Sequence, residues 1–210
     1  KLLTPEQFAD IANLRSVPDI ADYLRKNTAY AEVLDTLTED QIHRGNIEKV
    51  LVQSLYHDYT KIYRFCGQSQ REFMKLIMKG YEIELINYCL RIVINHYKKP
   101  FDLNFKGAFF DRYSQISIGK LITARTTDEL VENLKETEYY APLKKIKDTD
   151  NVTLYDYNLA LDLYYYTSTW KEQKKILKKS DLELFMRDRG SKIDLLNIQW
   201  IYRAKKYYNM

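Results

Sequence analysis

The sequence is poor in the residues that build turn-rich folds and small-molecule sites. It has six glycines and four prolines in 210 residues, too few for the closely spaced turns of a sandwich or barrel, so helices are expected. Two cysteines, Cys66 and Cys89, form no close-spaced pair; they argue against a disulfide framework and fit buried thiols in a reducing, cytosolic setting. Three histidines, His43, His57 and His96, lie outside any metal-ligand spacing, which leaves exposed or capping roles. No glycine-rich phosphate loop, nucleophile elbow or dinucleotide fingerprint occurs. No apolar run, the stretch from Leu90 to Ile94 included, approaches the roughly 20 residues that cross a bilayer. No signal peptide is visible. Beginning at Lys1 rather than methionine, the sequence reads as a piece of a longer chain.

What is abundant is charge of both signs, and tyrosine. Thirty-three lysines and arginines are interspersed with 29 acids, for a net +4. That balance does not point to nucleic acid. Lys171 to Lys179 holds five lysines, which read as a solvated helix face rather than a binding stripe. Nineteen tyrosines suit half-buried seams between helices, where a ring packs and its hydroxyl stays hydrated. Acid pairs such as Glu82 with Glu84, and Asp181 with Glu183, fall where helix starts are expected. There they complement the macrodipole without any catalytic role.

Helix signals run through the chain. Thr4, Pro5 and Gln7 open a first helix. Ser16 caps a second, Thr28 begins a third, and Asn46 begins a long one that Gly67 stops. Ser69 and Glu72 cap the next, which is expected to end at Gly80 before a further helix carrying Asn87. Downstream, a helix near Ile116 to Ala124 is followed by one boxed by Thr126 and Glu129. Thr137 starts another, Thr153 and Asp156 box a long one, and Ser180 caps its successor. Gly190 and Ser191 then separate that helix from a last one, whose apolar face is Ile193, Leu196, Trp200, Ala204 and Tyr207.

The pattern is duplicated. Gly80, Ile83, Asn87 and Tyr97 match Gly190, Ile193, Asn197 and Tyr207, each pair 110 positions apart (197 minus 87). Ser16 and Thr126 keep the same offset. The expected organisation is all-α: a helical module at 1–98, a linker at 99–112 around Pro100 and Gly107, and a second module at 113–210. An amide beside a buried stripe costs about 1–3 kcal/mol if unpaired, so Asn87 and Asn197 are expected to hold a structural hydrogen bond in each module. Arg203 and Lys205 have no basic counterpart in module one. Arg203 reads either as a cation at a helix C-terminus or as a charge facing a shared interior or a partner.

These residues resemble a known family. Leu2, Leu3, Thr4, Pro5 and Glu6 at the start, Tyr23 and Leu24 before Thr28 and Tyr30, and the helix with Asp194, Asn197, Arg203 and Lys205 look like the C subunit of bacterial and archaeal V/A-type rotary ATPases, whose eukaryotic homologue is the d subunit. Module one keeps only Asn87 and, loosely, Glu84 of that motif. The resemblance implies three modules in a pseudo-threefold funnel, of which this chain holds two, with a preceding helix and the third module outside it. It implies a non-catalytic central-stalk component, a socket that caps the membrane rotor ring, receives the central stalk and passes torque between ATP chemistry and ion flow. No catalytic residue, cofactor or metal is then expected, and the location is cytoplasmic, peripheral to the membrane through the ring. Without its third module the chain is expected to dimerise through its open edge. A helical-repeat adaptor unrelated to rotary motors stays open as an alternative, as does an all-α enzyme with a helix-lined pocket.

Overall fold

The structure is a computed structural model that describes residues 3–97, 103–149 and 151–207. Among them there is no strand. The helices, in order, are α1 (Pro5–Ala12), α2 (Val17–Asn27), α3 (Ala31–Leu34), α4 (Arg44–Phe65), α5 (Gln68–Ile94), α6 (Asn104–Tyr113), α7 (Ile118–Thr123), α8 (Thr127–Asn133), α9 (Tyr140–Lys147), α10 (Leu154–Ile176) and α11 (Lys179–Tyr207), with a 3-10 turn at Glu39–Gln41. None of the helices, within the described residues, is long and apolar enough to cross a membrane.

Capping sets several boundaries. Thr4 accepts from Gln7 N at 3.3 Å while the Gln7 side chain accepts from Thr4 N at 2.9 Å, with Pro5 in the first turn. Ser16 Oγ accepts from Asp19 N, and Thr126 Oγ1 from Glu129 N, both at 3.2 Å. Such caps are worth about 1 kcal/mol each. Thr28 and Thr137, expected to start helices, instead shape the approach to one. Their hydroxyls donate to Leu24 O and Leu134 O and accept from the N–H of Tyr30 and Tyr139.

The helix starts repeat at a nearly constant interval. α2 and α8 begin at 17 and 127, α4 and α10 at 44 and 154, and α5 and α11 at 68 and 179. Two compact units divide the chain at 65/66. Unit 1 closes over Ala21, Leu24, Leu34, Ile47 and Val50. Arg25 ties it together, donating from Nη2 to Leu34 O at 3.0 Å and pairing with Asp22 and Asp35. Leu55 and Ile62 of α4 are exposed.

Unit 2 is organised by α5, which packs on α7, α8 and α10. Its fully buried Ile86, Cys89 and Leu90 contribute about 1.5–3 kcal/mol per large side chain. Two expected boundaries are absent. Gly80 and Gly190 end no helix but lie inside α5 and α11. A glycine inside a helix costs about 1 kcal/mol, which unit 2 meets by close packing at Gly80. A Cβ there would lie 3.3 Å from Tyr165 Oη; at Gly190 the nearest neighbour is the Trp170 ring at 4.0 Å. The expected linker is partly helical. In α6, Phe109 and Phe110 are buried, and that apolar face outweighs Gly107. Pro100 lies outside the described residues. Gly67, not Ser69, precedes α5, its N–H donating to Gln70 Oε1 at 2.8 Å.

Candidate functional site

With α5 continuous, Glu82 is not near a helix start, as its sequence context suggested, but mid-helix and 3% exposed. Its carboxylate accepts from Ser114 Oγ at 2.5 Å, Gln115 N at 3.2 Å and the Tyr139 hydroxyl. One turn earlier on the same face, Lys79 Nζ donates to Glu138 Oε2 at 3.0 Å and Glu172 Oε1 at 2.8 Å. Gln115 joins the two halves, donating to Glu138 Oε1 at 3.0 Å and accepting from Glu138 N at 3.2 Å. Burial, then the nearby Glu82 charge, pushes the Tyr139 hydroxyl well above its ordinary pKa, so it stays a donor. The network stitches α5 to the turns before α7 and α9 and to α10. Its groups are spent on one another, an arrangement that fixes register rather than reacting.

The chemistry turned outward is on α11. No residue of α11 with a described side chain is buried. Leu195 (67%), Ile198, Ile201 and Tyr202 are exposed, and Trp200 reaches back to Tyr155, edge to face at 5.7 Å. Of the expected face, Ile193, Leu196 and Ala204 are half-buried. Arg203 and Lys205 are exposed beside these apolar groups. So is Asn197, which therefore has no buried structural role. Asn87 lies on α5 instead, in a cleft of about 310 Å³ between α5, α10 and α11. Its Oδ1 is buried without a hydrogen-bond partner.

Arg189 dominates that cleft. Its Nη1 donates to Tyr165 Oη at 2.9 Å, and its guanidinium lies 5.0 Å from the Phe185 ring centre. Its Nε is buried with no hydrogen bond, and Asp188 stands 4.0 Å away. Lys192 and Asp162 line the same cleft, and burial raises the Asp162 carboxyl above its usual range. A second groove, about 750 Å³, has Phe73, Leu177, Leu184 and Phe185 on its walls. Among the described residues no three His, Cys, Asp or Glu side chains gather to hold a metal ion.

Fold and surface define an all-α protein with a sealed polar seam and one uncovered helical edge. The chain belongs to the family described as ATP synthase (C/AC39) subunit, whose model it matches over residues 1–210. Among curated relatives, the C subunit of the A-type ATP synthase of Methanosphaera stadtmanae is 26% identical over 216 residues, 98% of this chain and 51% of that protein. The same protein of Methanosarcina mazei is 26% identical over 206 residues, 98% of this chain and 55% of that protein. That of Thermococcus kodakarensis is 23% identical over 211 residues, 98% and 53%. The chain spans about half the length of the curated relatives it matches. No solved structure matches it.

Proposed function

We propose that the protein is a non-catalytic central-stalk component of an A/V-type rotary ATP synthase. It would act as a socket between the central stalk and the membrane rotor ring, peripheral to the cytoplasmic face. The match over the whole chain to the C/AC39 family carries this reading. The uncovered face of α11, with Arg203 and Lys205 beside exposed apolar residues, supports it: charge steers a partner and apolar area holds it. We also propose that the chain is a duplication, α1–α5 answering α7–α11, and that a third such module in the full-length protein completes a funnel. In the 210-residue chain the bare apolar residues of α11 favour weak self-association.

The test is capture of purified stalk and ring proteins by the full-length protein, with nucleotide titrated in a calorimeter in parallel. Capture without nucleotide heat is expected, and charge reversal at Arg203 and Lys205 should weaken it. A clear nucleotide heat with no capture of either partner would overturn the reading.

A further inference from the structure

The cleft of about 310 Å³ between α5, α10 and α11 lies wholly within unit 2, and its charges are sorted by wall. α11 supplies two cations, Arg189 and Lys192. α10 and α5 supply two carboxylates, Asp162 and Glu84. Among the described residues no ion pair crosses the cleft. Arg189 is held in place by Tyr165 Oη at 2.9 Å and by the Phe185 ring, 5.0 Å from its centre. Lys192 and Asp162 stand exposed at the rim. Glu84 shares its charge with Lys106 of α6. Asp162 has no such relief, since partial burial raises its carboxyl and no cation offsets the effect.

These rim charges are not part of the repeated pattern. At the positions 110 residues before Asp162 and Lys192 stand Val52 and Glu82. They are additions to this joint rather than requirements of the shared helix spacing. The sorting selects a ligand. A simple anion drawn to α11 meets two carboxylates opposite, and a simple cation drawn to α5 and α10 meets Arg189 and Lys192. An apolar molecule would strip water from the charges and offer no bond in return. A molecule with one anionic and one cationic end satisfies both walls and is aligned by them. At about 30 Å³ per water-sized group, the cleft has room for about ten such groups, which is the size of a small amino acid.

We propose that this cleft binds a small zwitterion of the α-amino-acid type, its carboxylate towards Arg189 and Lys192 and its ammonium towards Asp162 and Glu84. Two buried wall atoms lack hydrogen-bond partners, the acceptor Asn87 Oδ1 on α5 and the donor Arg189 Nε on α11. Each comes into reach by a side-chain rotation, the ammonium serving the first and the carboxylate the second. Ile77, Ile83 and Tyr81 form the less polar part of the wall, which suits a short uncharged side chain. The ligand bridges α11, which has no buried residue among those with described side chains, to the packed pair α5 and α10. Its binding therefore stabilises the folded state. None of this depends on the rotor reading.

The experiment is calorimetric titration of the full-length protein with glycine, L-alanine and L-glutamine, and with propionate and ethylamine, which each keep one charge of alanine. Titration to about 10 mM reaches a Kd of about 1 mM. At least one amino acid should give a saturable heat at one site per chain and raise the thermal midpoint, with propionate and ethylamine about tenfold weaker or silent. Asp162→Asn and Lys192→Met should each weaken binding about fivefold or more, and Lys171→Met, exposed on α10 outside the cleft, should not. All three sites are on the surface, so tryptophan fluorescence should show a native fold throughout. No saturable heat from any of the three amino acids overturns the proposal. So does equal binding of propionate or ethylamine, or binding unchanged in both cleft variants.

Discussion

Removing the carboxylate of Glu82 is the sharpest test of how unit 2 is held. In Glu82→Ala the Tyr139 hydroxyl, itself 0% exposed, loses its acceptor. Ser114 keeps only the bond its oxygen accepts from Ile116 N, and the Gln115 N–H can turn to water because that residue is exposed. One fully buried and one half-buried donor left unpaired, at about 1–3 kcal/mol each, give a loss of about 2–6 kcal/mol. Relief from keeping a charge buried offsets part of this, so the lower end applies. Glu82→Gln retains an acceptor and should cost about half as much. Both tryptophans, Trp170 and Trp200, lie in unit 2, so urea unfolding followed by fluorescence reports that unit alone, while circular dichroism reports both. The fluorescence transition should move to lower urea. Combining Glu82→Ala with Tyr139→Phe should cost about 1 kcal/mol or more less than the sum of the two single changes. A loss below about 1 kcal/mol for Glu82→Ala, or strict additivity with Tyr139→Phe, would refute the view that this network pins α5.

Three further outcomes follow from single residues. Cys89 is fully buried and its thiol is pushed up to about 12 by burial, so a thiol reagent at neutral pH should label the half-exposed Cys66 alone until the protein unfolds. Because the native state keeps the Cys89 proton while the unfolded thiol loses it near the ordinary 9.0, stability should be full below that pH and fall as pH rises towards about 12; Tyr139, also raised, acts in the same direction, and unfolding midpoints at about pH 8 and 10.5 would reveal it. Gly190→Ala should stabilise the protein by about 0.5–1 kcal/mol, since the added Cβ meets only the Trp170 ring at 4.0 Å, whereas Gly80→Ala, with Tyr165 Oη at 3.3 Å, should gain less or lose in thermal melts.

The parts of the fold legible in the sequence were those that local chemistry decides. Thr4, Ser16, Thr126 and Thr153 cap where their side chains can reach the next turn, and α4 and α10 are long enough for their period to dominate. Gly80 and Gly190 read as helix ends because glycine marks both helix ends and close approach; at Gly80 the deciding atom, Tyr165 Oη at 3.3 Å, lies on another helix, whereas no close neighbour requires the glycine at 190. Glu82 was missed for the same reason, its partners being 32 to 57 positions away. One signal was available. Had the apolar run from Leu76 to Val93 been taken as a single helix, Lys79 and Glu82 would have stood out as charges on its buried side. That Arg203 and Lys205 continue the last helix was legible, because nothing beyond their own helix was needed to place them; their exposure was not.

The compact units and the proposed modules disagree about where the chain divides, and the disagreement follows from how the helices share their faces. A module ending near 98 keeps α5 with α1–α4; the compact units assign it to the second half. α5 has its largest apolar face and both buried charges committed to α7, α8, α10 and the turns between them. A helix that would close the first proposed module in sequence therefore completes the core of the second compact unit in space. Under that rule a break in the chain is tolerated before α5 and not after it, since cutting near 98 would strip unit 2 of Ile86, Cys89 and Leu90. It also explains why α11, although built on the same spacing as α5, has no buried residue among those with described side chains. Apolar period alone does not make a buried helix: α5 is covered by α7, α8 and α10, and α11 carries the pattern without such cover.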